Sequence, residues 1–413
     1  MAKKKIFYGS PNKIMDFMGT SKVSATFYSI ANTLFMLEKL IKSGEKRKSV
    51  KIDYYVDLSE EEIKELSNEL KNLVLDVLCE EIDFKFVKSN LNINVKNVPN
   101  FGKNDTICLY SGGIDSTLGI LKSKEKYGNV IGLYVGHQDL GKITHKIEII
   151  KKELLDSAGI SLIKFLAPAM GKGYSQLRGF LYVLYGAVLA DFLEAKRIII
   201  AECGVTMYQP KFAPMDTITY TTHPLVLRTS KKITEIILKR PLALILPFED
   251  FTKTEMMKLL SDDNILSKTH SCLSARWNQN CGGCYACITR MIGSVNLELS
   301  TSYFKDSHFG DRNNEILSSL INFCFNFEIN KKEVDYWSLK TIETFDKSNL
   351  FRRHCLDVFL SLNKLSKKGL LDSDYGSVLD SYKKVKGEEE LINREKQLND
   401  DKKHPDFDKE VRL

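Results

Sequence analysis

Two groups of residues in this chain have the types and spacing that do chemistry. The first is Ser111-Gly112-Gly113-Ile114-Asp115-Ser116, placed between a short apolar run, Thr106–Tyr110, and a stretch with helical periodicity to about Lys126. A loop that hands a strand over to a helix presents unpaired backbone N–H groups and a partial positive charge, which favours an anion. Gly112 and Gly113 let the backbone approach such an anion closely, Ser111 and Ser116 add hydroxyl donors, and Asp115 suits a cap or a magnesium ion. A tight Gly-Gly turn with no ligand explains the same residues equally well. The second group is Cys272-x8-Cys281-x2-Cys284-x2-Cys287, four thiols within sixteen positions. Four thiolates complete a closed tetrahedral zinc site, and Gly282 and Gly283 ease the turn between them. An iron–sulfur cluster is the main rival for the same donors.

Further single residues stand where a site needs them. Lys253 follows Thr252 at a helix start, and a lysine there attracts developing phosphate charge. Arg178 opens a long apolar helix, and its guanidinium fork suits phosphate or carboxylate. Glu202 follows a strand at its C-terminal end, where open α/β sheets bind ligands, and an ionised carboxylate accepts from purine-like N–H groups. His223 is an acid–base candidate, against the plainer reading of a capped turn. Cys203 reads as an inert buried thiol, with nucleophilic chemistry as its alternative. The chain has no G-x-x-x-x-G-K-[ST] and no G-x-G-x-x-G after a strand, which disfavours a P-loop NTPase or a dinucleotide dehydrogenase.

The elements that must position these residues are legible as alternating runs. Thr106–Tyr110, Val130–Val135, Leu162–Leu166, Arg197–Ala201 and Leu242–Leu246 read as strands, and 143–155 and 177–195 as helices between them. Strands this apolar are buried on both faces, so the fold class is α/β with a doubly wound parallel-sheet nucleotide-binding core. Before it, Val50–Val56 reads as a strand, and Ser59 with Glu62 forms a capping box ahead of Ile63, Leu66, Leu70, Leu73 and Val77. The turn-rich stretch 97–104 marks a boundary. The expected division is an N-terminal α/β domain at 1–100, a nucleotide-binding domain at 101–298 with the cysteine knuckle, a helical domain at 299–385, and a charged tail at 386–413, frayed or disordered by composition.

The bulk numbers exclude little. The 413 residues are 43% hydrophobic, enough for a sizeable core, and 60 basic against 53 acidic residues give a net charge of +7. That charge is spread along the chain and does not signal nucleic-acid binding. No apolar run reaches the roughly 18 to 20 residues of a membrane span, and no signal peptide is readable, so the default compartment is the cytoplasm. The other five cysteines are scattered singles, as expected in a reducing compartment.

The six-residue loop resembles the SGGxDS signature of the pyrophosphatase-loop ATPases, which have an adenine nucleotide alpha hydrolase-like fold and cleave ATP between the α- and β-phosphates. Thr252-Lys253-Thr254-Glu255 is similar to the TKxE segment of that family. Thr269-His270-Ser271-Cys272, the eight-residue gap, and Cys281-Gly-Gly-Cys284-Tyr-Ala-Cys287-Ile-Thr-Arg290 resemble the zinc segment of the 7-cyano-7-deazaguanine synthase (QueC) branch. The resemblance covers roughly 105–295. It implies an AMP- and pyrophosphate-forming C–N ligase that takes ATP, Mg2+ and Zn2+ and acts on 7-carboxy-7-deazaguanine. It assigns Ser111, Asp115 and Lys253 to catalysis, Ser111, Gly112, Gly113, Asp115, Ser116 and Arg178 to the nucleotide, Glu202 and His223 to the substrate, and Cys272, Cys281, Cys284 and Cys287 to zinc.

Departures from the branch lie in Tyr134-Val-Gly-His137-Gln138-Asp139, in Glu202–Pro210, in Thr221–Pro224, and in the added segments at both ends. The enlarged form is similar to QueC-like proteins of bacterial anti-phage operons, which implies that the activated carboxylate meets a different amine, such as one on a partner protein. A homodimer is compatible with the sequence. The rival classes are a tRNA-thiolating enzyme of the same family with an iron–sulfur cluster, and a non-catalytic ATP-binding module.

Overall fold

The computed structural model describes residues 21–90, 104–137, 153–167, 175–208, 220–260, 262–270, 272, 280–300, 315–329, 347–400 and 403–411. Gln138, Asp139, Gln209, Pro210, the turn at 97–103 and the expected helical residues 143–152 lie outside that set.

Helix α1 (Lys22–Lys42) precedes a βαβ unit: β1 (Ser49–Tyr54), α2 (Glu60–Leu78) and β2 (Asp83–Lys88), with the two strands paired in parallel. The capping box is present: the Ser59 hydroxyl accepts from the Glu62 amide, and the Glu62 carboxylate accepts from the Ser59 amide. Leu66, Leu70, Leu73 and Val77 are all buried.

The five expected core strands form β3 (Thr106–Leu109), β4 (Ile131–His137), β5 (Ser161–Ala167), β6 (Arg197–Ile199) and β7 (Ala243–Ile245). All neighbours are parallel, in the order β5-β4-β3-β6-β7. The chain therefore winds outward from β3 to one side, returns, and winds outward to the other. Alternation along the strands divides their side chains between two cores. Ile107, Ile198 and Leu244 join the cluster containing α4 (Arg178–Leu193), whereas Cys108, Ile199 and Ile245 join one with Ile120 of α3 (Ile114–Tyr127). Both faces are covered, as a doubly wound sheet requires.

Helix α4 is apolar nearly all round, with twelve of its sixteen residues buried. The reason is a second layer: α1 and α6 (Pro224–Leu238) both pack on it, so it has little solvent face. The stacked rings of Tyr28 and Tyr185, 6.2 Å apart, and the 3.0 Å hydrogen bond from Tyr185 to Asn32 tie α1 to it. Between β6 and β7 the chain also forms the short α5 (Gly204–Met207). After β7 come α7 (Lys253–Leu260), α8 (Asp263–Lys268), α9 (Tyr285–Asn296), α10 (Glu315–Ile329), α11 (Ser348–Lys367), α12 (Ser373–Lys386) and α13 (Glu389–Asp400). The fold is thus α/β with helical additions. No helix among the described residues is long and apolar enough to cross a membrane.

The charged tail is a correction. Composition suggested fraying from Lys386 onward, yet α13 buries Leu391, Arg394 and Leu398 against α11. Beyond it, the Leu246 amide donates to the Lys409 carbonyl and the Val411 amide to the Leu244 carbonyl, both at 2.9 Å, so 409–411 runs antiparallel along the outer edge of β7. Phe407 fills a gap beside Tyr127, with ring centroids 5.8 Å apart. Few apolar residues suffice when each reaches a core. Phe407→Ala is expected to lower unfolding stability by about 3 kcal/mol through lost burial and a cavity, read in a denaturant titration; a disordered tail would show no change.

Candidate active site

The loop after β3 and the segment after β6 stand at the C-terminal ends of adjacent strands on opposite sides of the winding reversal, where this sheet type opens a crevice. Gly112 has φ +80°, a left-handed conformation that glycine adopts without a Cβ penalty. Its backbone folds around one hydroxyl: Ser116 Oγ accepts from the Ser111 and Gly112 amides, both at 3.1 Å, and Ser111 Oγ accepts from the Gly113 amide at 3.3 Å. Helix α3 starts directly after Gly113, which provides no side-chain cap. An uncapped first turn behind a curled loop is the arrangement an anionic group occupies.

Charges from three distant segments meet beside it. Lys253, the first residue of α7, forms a short ion pair with the Asp115 carboxylate, and both side chains are largely buried. The Cys203 amide donates to the second Asp115 oxygen at 3.2 Å. Glu202 is hydrogen-bonded to Asp115 and feels the charge of Arg178. Burial pushes the Glu202 carboxyl well above its ordinary range, and the neighbouring Asp115 charge adds to that. Burial is the largest influence on Asp115 and opposes its ionisation, but Lys253 together with hydrogen bonds from Glu202 and the Cys203 amide outweighs it and holds Asp115 below the usual carboxylate range. The Lys253 ammonium is penalised by burial and rescued by the same partner. The pair Asp115–Glu202 therefore keeps one proton, the usual outcome for two carboxylates in contact. Their oxygens and the Cys203 sulfur lie within 4.8 Å of one another. The two carboxylates are the donor type a magnesium ion takes.

Arg178 is the first residue of α4, and its Nε is buried without a hydrogen-bond partner among the described residues. A donor left in that state suits an acceptor supplied by a ligand. Its position is set from two sides. A Cβ on Gly179 would fall 1.4 Å from the Thr221 carbonyl oxygen, so only glycine lets the 220–223 turn come this close. From α1, buried Glu38 accepts from Ser175 Oγ (2.5 Å) and from the Gln176 (2.6 Å) and Leu177 (3.2 Å) amides, fixing the turn that leads into α4. The sequence reading missed Glu38; its only signal was a charge on the apolar face of a helix.

His223 and Cys203 take their plainer readings. His223 caps α6, its Nδ1 accepting from the Leu225 amide at 3.3 Å, and burial pulls its pKa down to about 4. Burial pushes the Cys203 thiol up to about 12, which leaves it protonated and unreactive.

The four cysteines converge as expected. Cys281 and Cys287 sulfurs are 3.8 Å apart and Cys284 and Cys272 sulfurs 3.9 Å. Four sulfurs about 2.3 Å from one tetrahedral ion would be about 3.8 Å from each other, so the set fits a single ion, whereas a cubane cluster spreads its ligands farther. The thiols crowd each other: hydrogen bonding to Cys284 leads the causes that push Cys272 up to about 12, so four thiolates here need a cation. This knuckle is wired to the loop. Arg290, fully buried on α9, donates to the Leu266 and Thr269 carbonyls, and the next residue, His270, donates its amide to the Gly112 carbonyl at 2.8 Å.

Residues 163–297 match a protein-family model, QueC: Queuosine biosynthesis protein QueC. No curated protein matches the chain. The matched segment is about a third of the chain; it takes in Arg178, Glu202, His223, Lys253 and the cysteines and begins after the loop at 111–116. It supports a QueC-like, nucleotide-binding character for this region.

Two outcomes follow from the site. With a metal ion held by the cysteines and ATP at the loop, a chelator should lower the melting temperature and weaken ATP binding at least tenfold, because the His270–Gly112 link would loosen with the knuckle; calorimetry on the stripped protein checks this. His223 and His354, both held neutral by burial with pKa about 4 against 6.5, should make the fold less stable as pH falls from 6.5 to 4. The unfolded chain takes up those protons first, so each histidine removes roughly 3 kcal/mol by pH 4. Replacing His354 with Asn should flatten that slope in pH-dependent denaturation.

Proposed function

We propose that this chain uses ATP to adenylate the carboxylate of 7-carboxy-7-deazaguanine and then passes the acyl group to an amine. The observation that carries the reading is the meeting of Lys253, Asp115 and the start of α3 at the winding reversal, with an Arg178 Nε that has no hydrogen-bond partner among the described residues. The QueC match over 163–297 supports ATP-dependent synthase or ligase chemistry, and the substrate is proposed from that likeness.

In this reading the positive start of α3 and the ammonium of Lys253 hold the leaving β- and γ-phosphates. Arg178 orients the α-phosphate or the substrate carboxylate. A carboxylate oxygen attacks the α-phosphorus, the bond to the bridging oxygen breaks, and pyrophosphate leaves with the electron pair. Amine nitrogen then attacks the acyl carbon, AMP departs, and the amine loses a proton to solvent or a nearby carboxylate. Mixed-anhydride activation makes the amide accessible, and fixed cations stabilise the charge that develops on pyrophosphate. Asp115 and Glu202 would hold Mg2+, which neutralises phosphate charge when bound. Ionising Glu202 is then a condition of that binding, so the affinity for Mg2+ falls as pH falls.

Cys272, Cys281, Cys284 and Cys287 would hold zinc in a structural role, since four protein ligands leave no open position. The sulfur spacing favours it over an iron–sulfur cluster and so weighs against tRNA thiolation. The amine that reaches the acyl-adenylate decides between a primary amide, from ammonia, and a conjugate to a partner protein in anti-phage defence. A nitrile would need a second ATP to adenylate the amide oxygen, which then leaves as AMP while the nitrogen loses its two protons.

Offered 7-carboxy-7-deazaguanine, an amine and MgATP, the protein should release pyrophosphate, and Lys253→Ala or Asp115→Ala should cut that rate roughly a hundredfold or more while the fold persists. No substrate-dependent pyrophosphate from the parent protein would sink the reading, and a brown, visibly absorbing protein after anaerobic purification would sink its zinc assignment.

A further inference from the structure

The turn that presents Lys253 has a second side. Residues 253 and 255 of a helix project about 200° apart, so Lys253 faces Asp115 while Glu255 faces away. Thr252 and Glu255 cap α7 reciprocally: the Thr252 amide donates to Glu255 Oε2 at 3.0 Å, and the Glu255 amide donates to Thr252 Oγ1 at 3.3 Å. Capping boxes commonly face water. Here both side chains bond onward into the C-terminal helices. Thr252 Oγ1 donates to Asp357 Oδ2 of α11 at 2.7 Å, and Arg394 of α13 donates to Glu255 (2.9 Å) and, through Nε, to Asp357 Oδ1 (2.8 Å). Arg353 and Lys403 add bonds to Glu255 at 2.8 and 3.2 Å. The ring Thr252–Glu255–Arg394–Asp357 is closed, and none of its members is more than 3% exposed.

Such a ring is a poor device for stability. Desolvating three charges consumes most of what their attraction returns, and apolar residues of equal volume would often do as well. What the ring supplies is direction, since each of its bonds fixes an orientation. Burial works to raise the Glu255 carboxyl, yet Arg394, Arg353 and Lys403 bring it down to about 2, so it stays charged and keeps its bonds across any pH at which the protein functions. Asp357 is held in turn: its carbonyl accepts from Asn296 of α9, the helix that carries Cys287.

We propose that the C-terminal helices are a positioning device for Lys253: Asp357 and Arg394 fix the Thr252–Glu255 turn so that the lysine stands over the phosphate site, which is incomplete without them. This rests on Lys253 contacting ATP phosphates, and the experiment separates the two claims. Thr252→Val removes the hydroxyl without removing a charge, Thr252→Ser keeps it, and Asp357→Asn and Arg394→Met break the ring from the other side. Steady-state pyrophosphate release is measured for each, with a thermal melt.

The expected result is a ten- to hundredfold lower kcat, or an equal rise in KM for ATP, in Thr252→Val and in each ring variant that melts cooperatively. KM for the deazaguanine stays within twofold, and Thr252→Ser restores the parent values. A merely structural role would shift the melt and leave the ATP constants of the folded protein alone. If Asp357→Asn or Arg394→Met does not fold, the Thr252 pair decides. Cooperatively folded Thr252→Val with parent kcat and KM for ATP overturns the proposal while Lys253→Ala remains inactive. Full activity in Lys253→Ala overturns the underlying reading, and the proposal with it.

Discussion

The buried contact between Lys253 and Asp115 is the constraint around which the rest of the molecule is arranged. An ammonium and a carboxylate taken out of water are tolerated only when each finds a well-placed partner. Here the partners come from helices that begin after different strands, so β3, β6 and β7 must lie side by side in one fixed register before the pair can form. The same site explains why Glu202 keeps a proton: burial and the charge of Asp115 beside it outweigh the pull of Lys253 and Arg178. In the proposed reaction, polyphosphate at the loop would compete with Asp115 for the lysine, and a divalent ion beside the freed carboxylates would restore the balance.

The added segments act on the elements that carry the site's two cations. From the N-terminal side, Glu38 of α1 gathers the turn ahead of Arg178. From the C-terminal side, Asp357 and Arg394 grip the turn that holds Lys253. Even the cysteine knuckle reaches the loop through one backbone bond, from His270 to Gly112. Cores that run from α1 through the sheet to α7 and α11 make these parts one cooperative mass.

What the sequence disclosed was local. The 111–116 loop, the Ser59–Glu62 box and the four cysteines are short-range patterns whose chemistry is contained in adjacent residues, and the strands announce themselves as apolar runs. Arg394, Asp357 and Glu38 are charges like dozens of others, and only the tertiary fold brings each to its partner across 37 to 139 positions of chain. His223 admitted both an acid–base role and a capped turn in its Thr-Thr-His-Pro context, and the imidazole faces its own helix start. The tail was misjudged by average composition. Leu391, Leu398, Phe407 and Val411 are sparse, but each is buried, and sparse contacts in the right places outweigh a charged average.

The strip at 409–411 has a consequence for assembly. An outermost strand with open amide and carbonyl groups is a template on which another chain can continue a sheet. Here the backbone of Lys409 and Val411 already occupies those groups on β7. Lys231 reinforces the closure through the Val411 carbonyl and Glu410. A second copy cannot lengthen the five-stranded sheet through that edge, so strand pairing between copies would have to use another edge, that of β5 or of the β1–β2 pair.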